Sequence, residues 1–329
     1  MEYKSFGDFL RDVHKAGLGS RNAYTRLKTA GHLEEGQDSL GGFTVPTDFY
    51  NEIMNVALEE SIVRPRARVV PCNSSAIGIP TIVDTTHAST VFGGFACTWG
   101  TEAGDKTADD IAIGQLGLKM KKLTGFCYTS NELLADSGGL CEAMLRQAFG
   151  EAVAYYADDK YVNGTGVNQP LGILHAPCLI TRAKETSQAA DTLQIENVFG
   201  MASRLLPQCH RKAIWLAHPD TLPQWGSLTA DMRFIGPGFY ILGKEVIWTE
   251  KCQTLGDKGD LYLVDFSKYV IADRGISVVS SKHYRFANDE ISWRFILRTD
   301  GQPILASAIT PKNGTTTLSP FVVLAERGT

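Results

Sequence analysis

Apolar residues fall at helical spacing over one long stretch of the chain. Cys141, Met144, Leu145, Ala148, Ala152, Tyr155 and Tyr156 form a stripe, with Glu142, Arg146, Glu151 and Asp158 largely off it. The pattern predicts an amphipathic helix from Leu140 to Val162, about 34 Å long at ~1.5 Å per residue, with its stripe on a core. Gly138 and Gly139 separate it from a shorter helical turn at Asn131 to Ala135, and Gly164-Thr165-Gly166 ends it. Elsewhere the period is two. Leu116, Leu118 and Met120 alternate with Gly117, Lys119 and Lys121, and Ile291, Trp293, Phe295 and Leu297 alternate with Ser292, Arg294 and Arg298. Both read as strands, the second as half of a long antiparallel hairpin over residues 276 to 298.

Shorter elements fill the rest. Phe6, Phe9, Leu10 and Val13 share one face of an N-terminal helix that Gly17 to Ser20 ends, with Ser5 as its cap. Pro46 opens a helix to Glu60, and Ile77 to Val83 is a strand with Pro80 marking an edge. From Leu171 to Val270 the pattern turns α/β, with a helix at Ile195 to Leu206, a buried strand at Ala213 to Ala217, a helix near Trp225 and a strand at Leu261 to Val264. Residues 302 to 325 return through short strands to a polar tail.

Residues 84 to 126 fit none of these. Glycines recur at 93, 94, 100, 104, 114 and 117 around the polar run TWGTEAGDKTADD. Pairing Val91 to Trp99 with the limb through Leu118 makes a two-stranded ribbon around a flexible tip. Such a ribbon is marginal alone and presents open edges, so it needs a partner surface. The arm before residue 38 raises the same demand, because beyond its helix it has few large apolar residues. Residues 1 to 30 carry six Lys/Arg against three Asp/Glu, whereas 34 to 60 carry seven acids and no base.

Totals narrow the class. With 329 residues, 43% hydrophobic and 21% charged, the chain reads as a soluble globular protein large enough for two domains. A net charge of -4 argues against a dedicated nucleic-acid reader. No run reaches the ~20 apolar residues of a membrane span. Seven cysteines without close pairing suit a reducing cytoplasm, as packing residues.

Candidate chemistry is thin. Gly238 to Lys244 fits the GxxxxGK spacing of a phosphate loop, but Glu245 replaces the magnesium-binding hydroxyl and the four intervening residues are large and apolar. The segment reads better as a hairpin with a tight turn. No histidine pair, CxxC, HExxH or GxSxG points to a metal or a nucleophile, and Asp109-Asp110, Asp158-Asp159 and Asp289-Glu290 read as solvated helix ends and turns. No catalytic, cofactor or metal residue is assigned.

The run SNELLADS, then FGEAVAYYADDKYVNGTG and NQPLGIL, resembles the spine helix of the major capsid proteins of tailed bacteriophages. Gly41-Gly42-Phe43-Thr44-Val45-Pro46, Val63 to Val70, Ala272 to Val278, and Asn288-Asp289 leading to Arg294 and Arg298 match the same family in order, from about Gly41 to Ala308. The resemblance implies the α+β shell fold of that family. Its parts would be an N-terminal arm (1–37), a peripheral domain begun at 38–83, an extended loop (84–126), the spine helix (127–170), an axial α/β domain (171–270), the peripheral long hairpin (271–298) and return strands with a C-terminal tail (299–329). It implies a structural protein of the virion, assembled in the bacterial cytoplasm around double-stranded DNA. The partners would be further copies in hexamers and pentamers, a portal protein at one vertex, a decoration protein and, because the stretch before Gly41 is short, a separate scaffolding protein. Intersubunit contact would fall on Trp99, Glu102, Asp105 and Lys106 in the loop and on Phe6, Phe9 and Arg11 in the arm. Some shells of the family are crosslinked through a loop lysine and an asparagine beside a glutamate, which here would draw on Lys106, Asn288 and Glu290. The rival readings are an encapsulin-like nanocompartment, a soluble α/β enzyme, and a ring-forming portal or tail component.

Overall fold

The computed structural model describes residues 6–18, 21–22, 61–97, 99, 109–130, 140–226, 232–235, 238–281 and 283–328, with only the backbone at 6–10, 17, 140–147, 232–238, 278 and 280. The helix expected over 46–60, the turn at 131–135, the cap at Ser5 and the loop residues Glu102, Asp105 and Lys106 lie outside the described residues. In chain order the elements are α1 (Phe6–Gly17), β1 (Arg68–Pro71), β2 (Ala76–Ile82), β3 (Ile113–Lys119), β4 (Lys121–Ser130), α2 (Leu140–Asn163), β5 (Ile180–Arg182), α3 (Ile195–Ala202) and β6 (Ile214–Ala217). There follow α4 (Leu222–Trp225), β7 (Met232–Ile235), β8 (Gly238–Ile241), β9 (Lys244–Trp248), β10 (Leu261–Val264), β11 (Tyr269–Ser281), β12 (Glu290–Pro303) and β13 (Phe321–Leu324). The strands make a four-stranded sheet, β1-β11-β12-β4, a seven-stranded sheet, β5-β13-β10-β6-β9-β8-β7, and a separate β2-β3 pair.

Two compact units share the chain. One holds residues 1–65, 120–157 and 273–299; the other holds 66–119, 158–272 and 300–329.

In the first unit, β4 and β12 pair antiparallel from Glu290↔Ser130 to Thr299↔Lys121. The predicted alternation holds at the arginines but not at Ser292, which is buried. Ile291, Trp293, Phe295 and Leu297 are buried, while Arg294 and Arg298 are exposed. Phe149 of α2 lies on that buried face, its ring 4.3 Å from that of Phe295. Gly125 allows the approach, because a Cβ there would already touch the Phe149 ring at 3.4 Å. Arg64 reaches across 209 positions of sequence to pair with Asp273.

The α2 helix forms where its periodicity predicts, but its buried stripe is a different one. Gly150, Val153, Ala154, Asp158, Tyr161 and Val162 are buried, whereas Ala148, Tyr155 and Tyr156 are exposed. Hydrophobicity misplaces the face because two tyrosines carry hydroxyls that water can keep, while Asp158 is buried with Lys251 Nζ 4.0 Å away. The helix stops at Gly164 for a steric reason. A Cβ there would sit 2.2 Å from the Pro170 carbonyl and 2.3 Å from that of Lys160, and the Gly172 amide donates to the Gly164 carbonyl at 2.8 Å.

In the second unit, β6, β10 and β13 are buried at every position, as sheet-centre strands covered on both faces must be. Trp215, Leu261, Leu263, Val322 and Leu324 pack with Val198 and Met201 of α3. Residues 238–248 form the predicted hairpin, its turn at Leu242 and Gly243 with φ of 50° and 71°. Both central residues are left-handed, the geometry that matches strand twist. The polar tail is not loose. The Arg327 guanidinium is fully buried against Asp260, with Nη1 donating to Oδ1 at 3.2 Å, and the Arg327 amide donates to the Gly256 carbonyl at 2.7 Å. Burial pushes the Asp260 carboxyl above the usual range, and the guanidinium pulls it back.

Candidate assembly surfaces

The ribbon exists, but with another partner strand. β3 pairs antiparallel with β2, from Ala76↔Lys119 to Ile82↔Ile113, and not with residues 91–99. Residues 91–99 are unavailable as a strand because Phe92, Gly93 and Gly94 all have positive φ, folding the chain into a turn closed by the Val91–Phe95 bridge. Gly93 is required there, since a Cβ would lie 2.1 Å from the Val83 carbonyl.

The ribbon has two unlike faces. Ile77, Ile79, Leu116 and Leu118 share one, and Leu118 is wholly buried. Ala76, Gly78, Pro80 and Ile82 share the other with Ile113, Gln115 and Gly117, all exposed. The root is held by its own unit. The Lys119 amide donates to Asp300 at 2.8 Å and Gln302 to the Gly117 carbonyl at 2.9 Å, while beyond Ile82 the His87 amide donates to the Thr310 carbonyl at 2.8 Å. Apolar side chains at and beyond the far end are nonetheless exposed. Ile82 is 50% exposed, Phe92 52%, Ile113 75%, and Trp99 fully so. Exposed apolar side chains of this size are where contact with another molecule is to be looked for.

Of the sequence candidates, Trp99 lies in the segment joining β2 to β3 and is fully exposed. Phe6 and Phe9 lie one turn apart on α1, and Arg11 of that helix is exposed. Val13 of α1 is buried, so the helical part of the arm is packed. Asn288 and Glu290 flank the turn between β11 and β12, where Glu290 accepts from Arg285 Nη1 at 3.1 Å. Sequence reading missed a second exposed group, Phe126 and Tyr128 of β4 with Tyr284 and Phe286 of that turn. Its signal was present: Lys122, Thr124, Phe126 and Tyr128 share strand parity, so two rings stand in a polar series.

Among the described residues no three His, Cys, Asp or Glu side chains gather as a metal would require, and no helix is long and apolar enough to cross a membrane. Burial pushes the Cys178 and Cys209 thiols up to about 12. Both are packing groups at neutral pH. Cys97 is exposed.

A long helix on an antiparallel hairpin, a mixed sheet, and a ribbon with exposed apolar side chains fit a subunit of a protein shell. The capsid of an empty GTA particle, computed with five-fold symmetry, matches with a TM-score of 0.64 over 82% of this chain and 90% of that one, at 16% identity. A chain from Mycobacterium phage Adephagia matches at 0.57 over 80% and 89%, with 14% identity. One from Microbacterium phage Oxtober96 matches at 0.56 over 93% and 98%, with 16% identity. In sequence, the Phage capsid family model matches residues 41–313, and the chain belongs to that family. It is a structural, shell-forming component of a virion. No curated protein matches it.

Proposed function

We propose that the chain is the major capsid protein of a tailed bacteriophage, closing in many copies into an icosahedral shell around double-stranded DNA. In this reading the unit holding most of α2 and of the β11–β12 hairpin is the peripheral domain, and the unit holding the seven-stranded sheet is the axial domain, gathering at five- and six-fold positions. The extended loop with Trp99, Glu102, Asp105 and Lys106, as expected from the sequence, and the arm with Phe6, Phe9 and Arg11, lap onto neighbouring copies. A separate scaffolding protein, a portal at one vertex and a decoration protein are the expected partners. Assembly takes place in the host cytoplasm, and the shell performs no catalysis.

The observation that carries this reading is the ribbon, rooted by hydrogen bonds in its own unit yet apolar and exposed at Ile82, Ile113, Phe92 and Trp99. Moderate contacts repeated over many copies make a stable shell without any one being strong. Sedimentation and negative-stain microscopy of the expressed protein test it. Closed particles or capsomer rings are expected, with nuclease-protected DNA in particles from infected cells. A stable monomer at high concentration would overturn the reading, and closed shells loaded with an enzyme would reassign it to a nanocompartment.

A further inference from the structure

In the four-stranded sheet, the β4–β12 pair has one face covered and the other largely exposed. α2 covers the face of Phe295 and Gly125 through Phe149. On the other face the register sets Arg298 opposite Lys122, Ile296 opposite Thr124, Arg294 opposite Phe126 and Ser292 opposite Tyr128; Ser292 is buried and Ile296 half-buried, and the rest are exposed. Lys122, Arg294 and Arg298 are exposed and form no ion pair among the described residues. Two like charges directly opposite on a strand pair repel, and this pair has no acid between its members. Arg294 and Arg298 are four strand positions apart, about 13 Å, a reach of about four phosphates at ~3.4 Å of axis each.

The turn end of the same face adds Tyr284, stacked parallel to Tyr128 with ring centres 6.4 Å apart, and Phe126, edge-on to both. Arg285 sits 4.1 Å over the Tyr128 ring. The nearby acids are Glu290, which holds Arg285, and Asp289 in the turn. Four bases against two acids give this face a positive field on a chain of net charge -4. We propose that this open face of β4 and β12 contacts the phosphate backbone of double-stranded DNA without reading its sequence, an assignment that rests on the capsid reading above. Lys122, Arg294 and Arg298 neutralise phosphates, and the tyrosine hydroxyls donate to backbone oxygens. DNA is favoured over an acidic protein segment because the bases lie on both strands, Arg294 and Arg298 about 13 Å apart along β12 with Lys122 beside Arg298, which suits a regular polyanion.

The test compares wild type with Lys122→Gln/Arg294→Gln/Arg298→Gln and with a control losing three exposed bases elsewhere, Arg211→Gln/Lys258→Gln/Lys312→Gln. Binding to a labelled DNA duplex of arbitrary sequence is followed between about 50 and 200 mM salt. The face variant should flatten the slope of log K against log salt by about 2.7, at ~0.9 per lost phosphate contact, while the control keeps the wild-type slope. Removing the like-charge pair should leave melting unchanged or raise it. Equal loss in both variants, or no binding by wild type, overturns the proposal. A face variant that stays folded but no longer forms particles assigns the face to contact between copies and also sinks it. Failure of the wild type to form any shell strikes the capsid reading separately, because the slope comparison needs no shell.

Discussion

Gly243 has a φ of 71° and open space where a Cβ would go, so Gly243→Ala meets no clash, only backbone strain. A loss of about 1 kcal/mol is expected in urea unfolding. Gly164 is the opposite case, with an ordinary φ and two carbonyls in the way. Gly164→Ala should cost about 3 kcal/mol or more, because backbone must move. The sequence marks both positions as glycine at a turn but does not say which reason applies; the contact across eight residues with Gly172 exists only in the fold. Arg327 teaches the same lesson at greater range. Near the C-terminal end it reads as a solvated charge, yet it is fully buried against Asp260. Arg327→Ala leaves a buried carboxylate alone and should cost about 3–5 kcal/mol. The thiols of Cys178 and Cys209 hold their protons to about pH 12 in the native state against an ordinary 9. The unfolded chain therefore loses these protons first. Stability is intact below about pH 9 and falls as pH rises towards 12, with a shallower fall expected in Cys178→Ala/Cys209→Ala.

At the scale of elements, period alone placed most helices and strands, because a half-buried strand must alternate and a surface helix must repeat near 3.6. It located α2 to within a residue at either end and the alternation of β12 over the predicted run except at Ser292, which is buried. It failed where an element's face depends on its partner. The α2 stripe through Tyr155 and Tyr156 is apolar by composition but exposed, and Asp158 is buried, because the contacting surface and not the sequence decides which side is inward. The ribbon's pairing failed in the same way. Residues 76–82 and 91–99 both precede β3, and only the positive φ run at 92–94 excludes the nearer one. Phe295 is where α2 and the hairpin meet, so Phe295→Ala should cost about 3–5 kcal/mol in chemical unfolding.

For the whole molecule the prediction concerns association rather than folding. Trp99 touches water on all sides, so Trp99→Asp should leave the thermal melt of the isolated subunit within about 0.5 kcal/mol of wild type. The same change should abolish or strongly weaken particle formation in sedimentation, since buried tryptophans are common anchors of interfaces. An unaltered particle yield would show that the ribbon end is not a contact. Alone, the sequence determined the α+β composition, the long helix and hairpin, the absence of any recognisable catalytic motif and the resemblance that the family match bears out, because these rest on local periodicity and ordered motifs. Only the tertiary structure decided which helix face is buried, which strand completes the ribbon, that the C-terminal arginine is locked inside, and that a basic, aromatic sheet face is left open. Each of those depends on residues far apart in the chain meeting at contact distance, which no local pattern encodes.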